Sequence, residues 1–232
     1  MKLALLGYGR MGKAIEKIAL KRGHQIICKI DKYQSDGILE KADVAINFSI
    51  PDAAVENINK ALNQSIPVIC GTTGWLDAYE QVTQNAIENN TAFLYASNFS
   101  VGVNVFFKLN KVLAQMMRHQ NDYTVSMEEI HHIHKLDAPS GTAITLAEGI
   151  IDNSDHTEWK LEGDEKEIVS IKSLREGEIP GTHSIKYLSY IDEITIEHKA
   201  HNRDGFALGA VIASEWIVGK KGCFKMDDVL NL

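Results

Sequence analysis

The sequence predicts an α/β protein, an open doubly wound parallel sheet followed by a second, α+β domain built on an open mixed sheet. Three observations carry this. The first hundred residues alternate short continuous apolar runs with helical patterns, a glycine-rich turn joins the first run to the first helix, and beyond Val101 the strands change to an alternating texture. Continuous apolar runs suit strands covered on both faces, whereas alternation suits a sheet with one wet face.

In chain order, Leu3 to Leu6, Gln25 to Ile30, Val44 to Phe48, Val68 to Cys70 and Ala92 to Tyr95 are the buried-strand runs. Between them, Met11, Ile15, Ile18 and Ala19 mark one helix. Pro51 at a first-turn position, followed by Val55, Ile58 and Leu62, marks another. From Val101 a long amphipathic helix runs to about His119 with Val105, Leu109, Val112 and Met116 on one face. Segments Tyr123 to Ile130, Glu167 to Leu174, His183 to Tyr190 and Glu193 to Lys199 read as strands of the mixed sheet, and polar Asn153 to Glu165 reads as a surface excursion. A last helix, outlined by Phe206, Ala210, Ala213 and Ile217 and closed by Gly219, is expected to pack back on the first domain. The expected boundaries are residues 1–100, completed by 205–232, and residues 101–204.

Composition narrows the class. With 44% hydrophobic and 24% charged residues, the 232-residue chain has the ordinary mixture of a globular protein. A net charge of -7 argues against nucleic acid as a partner, because phosphate binding needs a basic face. No apolar stretch approaches the roughly 18 residues that would span a bilayer, and no secretory leader pattern precedes the glycine turn. Three scattered cysteines, Cys28, Cys70 and Cys223, suit a reducing compartment, so the expected location is cytoplasmic, without a membrane partner.

Gly7-Tyr8-Gly9-Arg10-Met11-Gly12 is a G-x-G-x-x-G between a strand and a helix, the Rossmann-like arrangement for a dinucleotide. The first glycine turns tightly, the second lets a pyrophosphate approach the backbone, and the third lets helix and strand pack. Asp31 ends the second strand about 20 residues further on, where a ribose hydroxyl is expected. Its neighbour Lys32 can neutralise a 2′-phosphate, so the pair argues for use of both NADH and NADPH. A solvated Asp-Lys strand end is the plainer alternative. At later strand ends, Asn47-Phe48-Ser49, Gly71-Thr72-Thr73-Gly74 and Ser97-Asn98-Phe99-Ser100 are small and polar, able to line a nicotinamide pocket or simply to turn the chain.

The densest chemistry lies between Glu129 and Ala143. His131, His132, His134 and Lys135 cluster within five residues, an anion-attracting and proton-donating group in an acidic protein. Pro139-Ser140-Gly141-Thr142 then opens a helix whose free N–H groups, with the Thr142 hydroxyl, form a seat for a carboxylate. A solvated basic loop with an ordinary helix cap is one alternative. A metal held by the three histidines is another, disfavoured by Lys135 and by a spacing that matches no usual zinc pattern, so no metal is expected.

The run E-I-H-H-x-H-K-x-D-A-P-S-G-T-A, with G-x-G-R-M-G, G-T-T-G, S-N-F-S-V-G-V-N and the tail Phe224 to Leu230, resembles the dihydrodipicolinate reductase family, now called 4-hydroxy-tetrahydrodipicolinate reductase. The resemblance spans nearly the whole chain and implies reduction of a cyclic dicarboxylated imine in diaminopimelate and lysine biosynthesis by a homotetramer assembled through the second domain's sheet. It implies His131 as general acid/base and Lys135 as proton donor, with His132, Lys135, Gly141 and Thr142 holding the two carboxylates. For NADH or NADPH it points to Gly7, Tyr8, Gly9, Arg10, Met11, Gly12, Asp31, Lys32, Gly71, Thr72, Thr73, Ala96, Ser97, Asn98 and Phe99. Two departures stand out: a short connection between Lys32 and Lys41, and Ile133 where an arginine is common. The implied closure uses hinges near Phe99 to Val101 and near Arg203 to Gly205. A nicotinamide-sensing regulator would need no proton donor in the second domain, and other two-domain dehydrogenases lack the Ser-Gly-Thr seat beside histidines. Turnover with the cyclic imine separates all three.

Overall fold

A computed structural model describes residues 1–32, 35–163, 165, 167–202 and 204–232. The expected hinge residue Arg203, and Tyr33 and Gln34 of the short connection after Lys32, lie outside the described residues. The chain divides into two compact units, residues 1–101 with 204–232 and residues 102–203.

In the first unit the strands are β1 (Lys2–Leu6), β2 (Gln25–Ile30), β3 (Ser35–Gly37), β4 (Val44–Asn47), β5 (Val68–Cys70), β6 (Ala92–Tyr95) and β12 (Gly222–Phe224). They form one sheet in the order β12-β6-β5-β4-β1-β2-β3, parallel except for β3 on β2. Successive β1 side chains serve opposite faces. Leu3 and Leu5 join Ile15 and Ala19 of α1 (Arg10–Lys21) and Ala210 and Val211 of α6 (Asp204–Ile217). Ala4 and Leu6 join Ala54 and Ile58 of α2 (Pro51–Leu62) and Val82 and Ala86 of α3 (Tyr79–Glu88). Gly209 lets α6 lie against the backbone at Phe99, since a Cβ there would stand 1.7 Å from the Phe99 carbonyl oxygen. Helix α3 was not expected from the sequence, because only two of its side chains are buried and its apolar signal is thin.

The second unit pairs α4 (Val101–Met117) and α5 (Gly141–Ile151) with a sheet of order β11-β10-β7-β9-β8. Its strands are β7 (Thr124–His131), β8 (Glu158–Leu161), β9 (Ile168–Arg175), β10 (Thr182–Leu188) and β11 (Glu193–Lys199). β9 is parallel to β7 and β8, while β10 is antiparallel to β7 and β11. Two expectations need correction. The polar stretch from Asn153 to Glu165 is not merely an excursion: it contains edge strand β8, whose side chains other than Trp159 are exposed, which is why it reads as loop. On α4 the stripe Val105, Leu109, Val112 and Met116 is 40–70% exposed, while Val103, Phe106, Asn110 and Ala114 are buried. Apolar residues occur all round this helix, so periodicity alone cannot choose the buried face.

Candidate functional site

In the first unit, the turn after β1 meets the steric demands of its glycines. Gly7 has φ +98°, and a Cβ there would lie 2.3 Å from the Phe48 carbonyl oxygen. A Cβ on Gly12 would stand 2.4 Å from the Gly7 oxygen, whereas Gly9 faces open space. Gly9 also precedes α1 with no side chain capping it, leaving the helix N–H groups for an anion. A cavity of about 270 Å³ is lined by Gly7, Tyr8, Gly9, Asp31, Lys32, Phe48 and Ser49, among others. Arg10 is exposed, and Met11 packs against the core. These residues fit a dinucleotide.

Tyr8 is fixed by two residues that sequence reasoning missed. Its hydroxyl donates to Glu16 and accepts from Lys29 Nζ at 3.2 Å, and Lys29 pairs with Glu16 at 2.6 Å. The Asp31 carboxylate is exposed and accepts from the Lys32 N–H at 2.9 Å. At the later strand ends the side chains divide. Thr72 is buried, and its hydroxyl accepts from the Ser49 N–H at 2.9 Å, tying the loop after β5 to the loop after β4. Gly71 passes against the Phe48 ring, which a Cβ would meet at 2.2 Å, and Thr73 is exposed. Phe99 is buried with its ring 5.6 Å from Phe48, Asn98 accepts from the Ser100 N–H, Ala96 is half-buried, and Ser97 is exposed.

In the second unit, the site grows from strand register. Glu129 and His131 share one face of β7. Across from Glu129 stand His183 on β10 and Ser173 on β9, and across from His131 stands Arg175. Glu129 is 1% exposed. Its Oε1 accepts from the Ser140 N–H at 3.0 Å and the Ser173 hydroxyl at 2.8 Å, with Arg175 at 3.5 Å. Its Oε2 lies 3.3 Å from His131 Nδ1 and 3.6 Å from His183 Nε2. Burial opposes the charge on Glu129, yet His183, Ser140 and Ser173 outweigh it and hold the carboxyl well below the usual range. Burial pushes His131 down to about 4 against the attraction of Glu129, with His183, Lys135 and Arg175 adding to the depression.

Ser140 caps α5, its hydroxyl accepting from the Ala143 N–H at 3.2 Å and pairing with His183 Nε2 at 3.2 Å. Gly141 is exposed with open space where a Cβ would stand, and Thr142 is half-buried. Lys135 Nζ donates to both carboxylate oxygens of Asp137, at 2.8 and 2.7 Å. Arg175 holds that loop by donating to the carbonyl oxygens of Lys135 and Asp137 at 3.3 and 2.5 Å.

The three clustered histidines are not gathered around one point. His134 pairs with Glu178 at 3.1 Å on the surface, and His132 and His134 have ring centroids 6.1 Å apart. A different set, Glu129, His131 and His183, places ligand-type atoms within 4.8 Å of one another. The positive charges of Arg175 and Lys135 beside it favour a charge-compensated hydrogen-bonded cluster over a cation. Glu129, Asp137, Ser173, Arg175, Gly181 and His183 were not singled out from sequence. Only Glu129 and Asp137, lying inside the histidine–lysine run, carried a local signal.

Comparison with known proteins agrees over the whole length. The family model described as dihydrodipicolinate reductase, N-terminus, matches residues 1–99, and that described as dihydrodipicolinate reductase, C-terminus, matches residues 102–230. A 4-hydroxy-tetrahydrodipicolinate reductase of Christiangramia forsetii is 50% identical over 234 residues, covering 100% of this chain and 98% of the relative. One from Methanoculleus marisnigri is 39% identical, covering 88% of this chain and 81% of its own. A solved dihydrodipicolinate reductase from Paenisporosarcina sp. TG-14, with dipicolinate bound, shares the fold at a TM-score of 0.82 and 21% identity, covering 97% of each chain. With both halves of the family matched and a full-length relative at this identity, the chain belongs to the dihydrodipicolinate reductase family.

Proposed function

We propose that the protein is an NAD(P)H-dependent oxidoreductase that reduces 4-hydroxy-tetrahydrodipicolinate to tetrahydrodipicolinate, with release of water, in diaminopimelate and lysine biosynthesis. Family membership supports the reaction, and one observation supports its placement. A single buried carboxylate, Glu129, contacts both His131 and the first turn of α5, so a proton-transfer group and an anion seat share one scaffold.

When bound, the reduced nicotinamide supplies hydride to the conjugated imine. Gly7, Tyr8, Gly9, Arg10, Met11 and Gly12 hold the pyrophosphate, and Asp31 and Lys32 the adenosine ribose or its phosphate, so both NADH and NADPH serve. Gly71, Thr72, Thr73, Ala96, Ser97, Asn98 and Phe99 border the nicotinamide side, Thr72 and Phe99 chiefly by shaping backbone. Lys135 pairs with one substrate carboxylate in place of Asp137 and delivers the proton that the ring takes up. Gly141 and Thr142 seat the other carboxylate, with His132 beside Lys135. His131, neutral at rest, takes up a proton before it can return one.

Assembly as a homotetramer through the second unit's sheet is part of the same reading. The exposed Leu188, Tyr190, Ile191 and Ile194 near the β10–β11 turn support it, and light scattering tests it. The cysteines Cys28, Cys70 and Cys223 are all free, which supports action in the cytoplasm. Among the described residues no helix is long and apolar enough to cross a membrane. Steady-state turnover of the cyclic imine with each cofactor is the deciding experiment, and no turnover with either would overturn the assignment.

A further inference from the structure

We infer that Glu129 is a positioning residue serving both halves of the proposed substrate site: Oε2 selects the His131 tautomer protonated at Nδ1, and Oε1 pins the first turn of α5 to the sheet. The inference rests on the reading of His131 as the acid/base group. Glu129 Oε2 and His131 Nδ1 are both buried, neither makes a well-directed hydrogen bond to any group, each other included, and they face each other at 3.3 Å. Two such atoms can satisfy one another, on a small turn of the ring, only when the nitrogen carries the proton, because an ionised carboxylate accepts and cannot donate.

The groups facing this pair are His183 on β10, Arg175 on β9 and Lys135 on the following loop. Arg175 and Lys135 are cationic, so they favour an ionised Glu129 and a neutral imidazole. A neutral ring protonated at Nδ1 keeps its lone pair on Nε2. On that side lies Gly181, where a Cβ would stand only 3.1 Å from Nε2. Glycine leaves the basic nitrogen uncrowded. The other oxygen is independent of this choice, being occupied by the Ser140 N–H and the Ser173 hydroxyl.

Glu129→Gln separates the two tasks. A glutamine oxygen still accepts from Ser140 and Ser173, while its amide presents a donor to Nδ1 and forces the proton to Nε2. In nitrogen-15 imidazole spectra of the full-length protein near neutral pH, with His131 assigned by its loss in His131→Gln, the wild type should show protonated Nδ1 and bare Nε2. Glu129→Gln should reverse this pattern and lower kcat by at least about tenfold, up to the roughly 10²- to 10⁴-fold of a lost general base. The KM for the dicarboxylate and the NADH affinity should stay within about threefold, since the seat survives. A wild-type spectrum with the proton on Nε2 overturns the inference whether or not the variant folds. A Glu129→Gln enzyme with unchanged kcat, or one impaired only through KM and melting temperature, also overturns it. A fully active His131→Gln enzyme would remove the catalytic role of His131 instead, and the tautomer pattern would still decide what Glu129 does.

Discussion

The glycine turn of the first unit and the glutamate–histidine cluster of the second are suited to charge by opposite means. The turn relies chiefly on backbone: Gly7 and Gly12 make room by lacking side chains, and no side chain caps the N–H groups of α1, which are open to an anion. The cluster uses side chains drawn from three strands, a helix cap and a loop, with compensating charges. A backbone site tolerates changes of charge and fails on changes of volume, whereas the cluster should do the reverse.

The largest effect that would sharpen this contrast is chemical. Lys135→Met should cost turnover on the order of 10³-fold or more, about 4 kcal/mol of transition-state stabilisation. NADH binding measured by fluorescence should remain. Lys135 is 20% exposed and its partner Asp137 61% exposed, so the pair is largely screened by water and the melting temperature should move only slightly. An active Lys135→Met enzyme, or one lost only to unfolding, breaks the assignment.

Next in size is acid sensitivity. The folded His131 titrates at about 4, against about 6.5 when unfolded, so between these values the unfolded chain binds more protons. Stability should therefore fall as pH drops from 6.5 towards 4, by up to about 3 kcal/mol. Glu129, held below its ordinary range, adds a loss at the acid end in the same direction. Denaturant melts of wild type and His131→Gln across that window should show a shallower slope for the variant, and equal slopes would mean His131 is not buried as described.

Gly7→Ala probes the other region. A side chain at φ +98° and 2.3 Å from a carbonyl oxygen should destabilise by about 1–3 kcal/mol and weaken NADH and NADPH alike, while Gly9→Ala, facing open space, should spare stability. Calorimetry on both variants tests this, and a stable, cofactor-binding Gly7→Ala would show that backbone volume does not govern the turn. The smallest effect is expected at Lys32: Lys32→Ala should weaken NADPH selectively by about tenfold, one exposed ionic contact. An unchanged NADPH to NADH preference removes Lys32 from the pocket.

The same contrast explains what was legible beforehand. Strand, turn and helix around Gly7 to Gly12 lie within one short stretch, so spacing alone announces them. His131, Lys135, Gly141 and Thr142 were also visible in one run. Their supports were not, because His183, Ser173 and Arg175 reach Glu129 or His131 only through the register of β10 and β9. No local pattern encodes that pairing. The exposed stripe on α4 misled for the opposite reason, since local periodicity was present but did not determine burial, whereas α3 buries too few side chains to leave a periodic signal.

The ion pair between Lys135 and Asp137 means that the proposed proton donor already holds a carboxylate, supplied by its own loop. A tethered group of this kind competes at an effective concentration on the order of millimolar. A guest with a single carboxylate exchanges one ion pair for another of similar worth, so its net gain is small. A guest with a second carboxylate meets the same competition and would in addition occupy the proposed α5 seat, which Asp137 cannot fill while it pairs with Lys135. On the proposed site, preference for two carboxylates would come partly by subtraction, from a resident rival that discounts every singly charged visitor. Being largely exposed, the displaced Asp137 returns to water at little cost, so the rival sets a threshold without acting as a barrier.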